Sequence, residues 1–124
     1  MDLLDQLSPQ EYQRQVDEIY SEVFPTAKLL PGVERLIHHL KSNKIPIGIS
    51  SGSSKEAFEL KSQNLKWFFE KFEFILLCGS DSAVKLGKPA PDAFEVARLR
   101  FRNIPKGHFI LYETTYHRFL TKSY

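Results

Sequence analysis

The run Ile45-Pro46-Ile47-Gly48-Ile49-Ser50-Ser51-Gly52-Ser53-Ser54 decides the fold. Its first part is apolar, rich in β-branched residues and free of charge, which is the composition of a strand covered on both faces. Pro46 has no N–H to give a ladder and belongs at the start of such a strand. The serine-glycine part breaks the run, and Ser53 with Glu56 forms a capping-box pattern that opens a helix to about Asn64. Strand, small-residue turn and helix in that order form the repeating unit of an α/β domain.

Upstream of this unit, Tyr12, Val16, Ile19 and Val23 recur at helical spacing among Glu, Gln, Asp and Arg. Ser8 is placed to cap that helix and Pro9 to occupy its first position, so the spacing predicts an amphipathic helix over Ser8 to Phe24. Pro25 and Pro31-Gly32 then punctuate the chain before a second helix, on which Val33, Leu36, Ile37 and Leu40 share one face, ending near Asn43. Downstream, Phe72 to Cys78 reads as a second buried strand and Gly79 to Gly87 as loop. Pro89 and Pro91 precede a helix with Phe94, Ala97 and Phe101 on one face and Asp92 and Glu95 at its positive end. His108 to Tyr112 reads as the last strand. The alternation predicts parallel strands with flanking helices, because each crossover helix must cover the sheet.

The chain's 124 residues suit one domain, since single cores form from about 100 to 200 residues. Its 42% hydrophobic content, with ten Phe and one Trp, supplies core volume and excludes a disordered chain. Seventeen Lys and Arg stand against fifteen Asp and Glu, and the basic residues are scattered among acids, which argues against a nucleic-acid partner. A lone Cys78 forms no internal disulfide, and neither a signal peptide nor a membrane span is visible, so a reducing, cytoplasmic setting is expected without a membrane partner.

In open α/β sheets, ligands gather beyond the carboxyl ends of the strands. Ser51 ends a buried strand and Gly52 follows it into a capped helix, so the hydroxyl and the backbone N–H groups suit a phosphate. The same serines would equally serve as plain helix caps. The second place is Gly87-Lys88-Pro89-Ala90-Pro91-Asp92, where residues before proline are held extended, giving a stiff loop that fixes the direction of the Lys88 ammonium. A simple proline-rich loop with a helix-starting Asp92 accounts for that hexapeptide as well.

Other candidates read more plainly. His38 and His39 are adjacent on a helix, about 100° apart, and cannot share one metal ion. Cys78 follows an apolar run with no histidine nearby and reads as a buried structural thiol. Asp81 suits a turn cap, or the orientation of Lys88. Lys66-Trp67-Phe68-Phe69 reads as core, having no basic groove around it. His117 and Arg118 support no assignment.

Taken together, strand-Ser51-Gly52 followed by Gly87-Lys88-Pro89-Ala90-Pro91-Asp92-Ala93-Phe94 resembles the second and third motifs of the haloacid dehalogenase-like hydrolase superfamily, chiefly its phosphatases. The resemblance covers Leu29 to about Leu111. Ala27 to Ile37 and Ser51 to Ser54 are most similar to the branch of pseudouridine-5'-phosphatases. It implies a partial Rossmann-like α/β core over residues 28–113, preceded by a helical remnant of the cap domain in 1–27 and followed by a divergent tail in 114–124. It also implies a phosphorylated small molecule as ligand, with Ser51 and Gly52 binding its phosphoryl group and Lys88 neutralising the charge. Magnesium is the cofactor that the family uses.

Two family features are missing. No D-x-D, the motif carrying nucleophile and acid-base aspartates, occurs: the aspartates are Asp2, Asp5, Asp17, Asp81 and Asp92. Where the family places an acidic pair for magnesium, this chain has Glu113-Thr114, and one carboxylate does not make a hard-cation site. The expectation is therefore no turnover and no stable magnesium site, as for a truncated isoform or read-through product. Losing the central strand leaves the strands ending at Ser51 and near Tyr112 with open edges; either they pair with each other or the sheet is incomplete. A non-catalytic role follows as the alternative, with self-association or pairing to a paralogue through those edges. Another branch of the superfamily, such as a sugar phosphatase or phosphomutase, shares the same motifs.

Overall fold

The computed structural model describes residues 8–103 and the strands Phe109–Leu111 and Leu120–Lys122. Helix α1 spans Pro9–Val23, a short 3-10 turn covers Phe24–Thr26, and α2 spans Val33–Ser42. Strand β1 (Ile49–Ser51) leads to α3 (Lys55–Ser62) and α4 (Lys66–Phe69), then β2 (Ile75–Leu77), α5 (Asp92–Arg100), β3 (Phe109–Leu111) and β4 (Leu120–Lys122).

Local chemistry accounts for most boundaries. Ser8 caps α1 as expected, its hydroxyl accepting the Glu11 N–H at 3.1 Å. Gly32 precedes α2 at φ 84°, a left-handed conformation that costs glycine nothing. Beyond α2 the chain turns through Lys44 at φ 56°, with the Ile45 N–H on the Leu40 carbonyl at 3.0 Å and the Lys44 N–H on that of Lys41 at 2.9 Å. This is the two-bond helix stop usually built on glycine.

Strands β1 and β2 pair in parallel, Ile49 beside Ile75 and Ser51 beside Leu77, as the strand-helix-strand order requires. Both are shorter than the apolar runs that predicted them. Strand β3 departs from the expected all-parallel arrangement: it pairs antiparallel with β4, Phe109 beside Lys122 and Leu111 beside Leu120. Of the two outcomes for the open edges, the sheet is incomplete, since β1 and β3 lie in separate two-stranded sheets. The result is a partial α/β core.

That incompleteness explains a second difference. Ile49 to Ser51 are half-buried, where the sequence predicts cover on both faces. Among the described residues, the buried apolar side chains are Ile37, Phe68, Leu76 and Ala93, a thin core for a chain this rich in Phe. Around it, Phe58, Phe68, Phe69 and Phe72 form an edge-to-face cluster, and Phe74 packs on Phe101 at 4.9 Å between ring centres. The Lys66 to Phe69 run is only partly core: Phe68 is buried, whereas Trp67 is 46% exposed. Helix α1 buries none of its residues. No helix among the described residues is long and apolar enough to cross a membrane.

Candidate phosphate-binding site

Beyond the carboxyl end of β1, the turn is tied by its own serines. The Ser51 hydroxyl accepts the Ser53 N–H at 3.2 Å, which keeps its hydrogen available to donate to a ligand. The helix cap is Ser54, one residue later than the sequence predicts: its hydroxyl accepts the Ala57 N–H at 3.3 Å. The Ser51-to-Ser53 bond spends residues 51–53 on the turn and delays the first helical residue to Lys55. Glu56 still lies in the first turn, and its own N–H, followed by the Ser54 hydroxyl, lowers its carboxyl pKa.

The turn after β2 locks onto this one. The Gly79 N–H reaches the Ser53 carbonyl at 3.3 Å, and the Ser80 hydroxyl accepts the Lys55 N–H at 2.9 Å. A methyl group on Gly79 would lie 3.0 Å from the Ser54 nitrogen, so the close approach depends on glycine. Ser80 and Gly79 were not singled out by the sequence; their only signal is a glycine-serine pair closing an apolar strand.

Lys88 comes to the same end of the sheet from the proline loop. Its Nζ donates to the Ser50 carbonyl at 3.0 Å and stands 5.4 Å from the Phe94 ring centre. The structure thus brings Lys88, from a separate segment, to the strand end that carries Ser51 and Gly52. Lys61 meets the same turn only at Ser53: its Nζ is 3.4 Å from the Ser53 hydroxyl and lies over the Phe24 ring. Its position within α3 gave no sequence signal. Asp92 turns its carboxylate back to the loop, accepting the N–H groups of Lys85 and, at 2.9 Å, Leu86. Those two bonds, that of Leu86 first, hold the Asp92 carboxyl below the usual carboxylate range.

Other candidates separate from this cluster. Asp81 caps a turn through the Ala83 N–H at 2.9 Å and pairs with Arg100 at 2.9 Å. Cys78 is half-buried, with its sulfur 3.5 Å from the Ser50 hydroxyl, so it is less enclosed than the sequence predicts. His38 and His39 are both exposed on α2. Tyr112, Glu113, Thr114, His117 and Arg118 lie outside the described residues.

The deciding comparison is with family models. That of the haloacid dehalogenase-like hydrolases matches residues 2–111. The chain belongs to this family. Haloacid dehalogenase-like relatives include the (DL)-glycerol-3-phosphatase 2 of Arabidopsis thaliana, 38% identical over 101 residues, which are 82% of this chain and 42% of that protein. A probable pseudouridine-5'-phosphatase of Drosophila melanogaster is 39% identical over 100 residues, 81% of this chain and 43% of its own. That of Saccharomyces cerevisiae is 32% identical over 88 residues, 69% and 37% of the two chains. The chain spans less than half the length of these relatives.

Haloacid dehalogenase-like hydrolases generally use magnesium, and the residues described at this site do not fit it. Asp81 and Asp92 are each engaged, by Arg100 and by loop amides, and no three His, Cys, Asp or Glu side chains converge among the described residues. An octahedral magnesium ion needs convergent oxygen donors that these residues do not provide.

Proposed function

We propose that this chain carries the phosphate-binding half of a phosphomonoester hydrolase acting on a nucleotide-like monophosphate, and is inactive by itself. The observation that carries the reading is Lys88 Nζ held 3.0 Å from the Ser50 carbonyl, at the residue preceding Ser51. A phosphoryl dianion there would take charge-assisted bonds from the ammonium, with the Ser51 hydroxyl and the Gly52 N–H completing the cradle. Binding and orientation are what these groups supply. Attack on phosphorus needs a nucleophile, and no D-x-D is present to provide one. Residues 1–27 are read as a cap remnant, 28–113 as partial core and 114–124 as divergent tail.

The test is phosphate release from pseudouridine-5'-monophosphate and from glycerol 3-phosphate with magnesium present. No turnover is expected from the chain alone, together with weak binding of inorganic phosphate that Lys88→Ala removes. Turnover abolished by Lys88→Ala would overturn the inactivity claim.

A second reading is favoured by the open edge of β1, whose single strand partner among the described residues is β2. Pairing of that edge with a second copy or a paralogue, with Lys88 displaced from the Ser50 carbonyl, would make the chain an interaction protein. Light scattering and a pull-down check this: a strictly monomeric chain that retains no paralogue argues against it.

A further inference from the structure

Lys88 has a long, flexible side chain on a loop with no strand or helix of its own, yet its Nζ reaches one carbonyl on β1. A closed 85–91 backbone fixes where this side chain starts, so that reaching Ser50 costs side-chain entropy alone and not loop entropy as well. Three sets of bonds act on the segment. The Asp92 carboxylate gathers the N–H groups of Lys85 and Leu86, six or seven residues back. Inside that closure the Ala90 N–H meets the Gly87 carbonyl at 3.1 Å. The preceding turn is fixed by Asp81 through Ala83 and Arg100, and by Lys85 Nζ on the Ser82 carbonyl at 2.8 Å.

Among these, only Asp92 spans Lys88 itself by a side chain, so the lysine sits inside the loop that this carboxylate closes. Asp92 is also the first residue of α5, whose Ala93 is fully buried, so the closure is anchored to the core. We propose that Asp92 is a positioning residue: it clamps the 85–91 loop so that Lys88 is held at the carboxyl end of β1, next to Ser51. Its importance to an anion ligand rests on the functional reading above, whereas the clamp itself does not.

The experiment is trace acetylation of the intact chain with acetic anhydride, each lysine quantified by mass spectrometry, in wild type and in Asp92→Ala, Asp92→Ser and Asp92→Asn. Exposed Lys41 is the rate reference and half-buried Lys61 reports loosening elsewhere. Asp92→Ala should raise the Lys88 rate relative to Lys41 by about five-fold, the factor equivalent to one lost hydrogen bond, with Lys61 unchanged. Asp92→Ser, too short to reach both amides but suited to a helix start, should do the same and decides the matter if the alanine variant does not fold. Asp92→Asn keeps a carbonyl acceptor and should retain the wild-type rate. An unchanged Lys88 rate in the folded variants, or a parallel rise at Lys61, overturns the clamp. Adding inorganic phosphate separates the two claims: failure to slow Lys88 acetylation in wild type sinks the phosphate reading and leaves the clamp standing.

Discussion

Lys88 Nζ occupies the Ser50 carbonyl at 3.0 Å, on the side of β1 that faces away from β2. In a parallel ladder alternate residues bond to opposite neighbours. Ile49 and Ser51 bond to β2, through the Phe74 carbonyl and the Cys78 N–H, which leaves the polar backbone of Ser50 directed to the open edge. The lysine thus satisfies an acceptor that an adjacent strand would otherwise use, and a charge on an open edge disfavours strand addition.

Removing that charge has three effects. Lys88→Ala should abolish phosphate binding and lower stability by about 1 kcal/mol through the lost hydrogen bond, measurable by urea unfolding. It should also increase self-association at the β1 edge in light scattering. An Ala variant as monomeric and as stable as wild type would show that Lys88 does not protect the edge.

Lys44 ends α2 in a left-handed conformation at φ 56° that an L side chain adopts at a cost. Lys44→Gly should stabilise the protein by about 0.5 to 1 kcal/mol, since glycine relieves the strain while both terminating bonds remain. A raised urea midpoint with unchanged slope is the expected reading.

The two serines before α3 should differ sharply. Ser54→Ala removes the cap on Ala57 and should cost about 1 kcal/mol. Ser53→Ala loses only the 3.4 Å contact with Lys61 and should stay close to wild type in the same unfolding assay.

Gly48 and Gly52 form a comparable pair. A methyl group on Gly48 would meet the Phe74 ring at 2.3 Å, and that ring is braced by Phe101. Gly48→Ala should therefore destabilise by about 1 to 3 kcal/mol from overpacking. Nothing lies within 4 Å of the same atom on Gly52, so Gly52→Ala should leave the unfolding midpoint nearly unchanged.

Asp92 gives the acid side its sign. Its carboxyl is held below the ordinary value by the N–H groups of Leu86 and Lys85, so the folded state binds its proton more weakly than the unfolded chain does. The stabilisation is present in full above the ordinary carboxylate range and is lost as pH falls through the depressed value. Asp92→Asn should flatten that limb of the pH-stability curve, followed by urea unfolding between neutral and acid pH. An unaltered acid limb would count against the two amide bonds.

The order of elements was legible in the residues themselves. Ser8-Pro9 starts α1, Pro31-Gly32 precedes α2, and the apolar runs before Ser51 and Cys78 hold β1 and β2. These are local signals, set by dihedral preference, capping and periodicity within a few residues. So too was the motif pair around Ser51 and Lys88. What local pattern could not supply was everything that depends on a distant partner. How far β1 is covered rests on helices and strands from elsewhere in the chain, and β1 is half-buried with β2 as its one strand partner among the described residues. Ser54 displaces Ser53 as the cap because a hydroxyl three residues earlier claims the intervening N–H, and Trp67 is exposed while its neighbour Phe68 is buried. Tertiary structure alone decided that Asp92 faces its loop, that Lys61 reaches Ser53 and that β3 pairs with β4, because such bonds form only between groups the folded chain brings together.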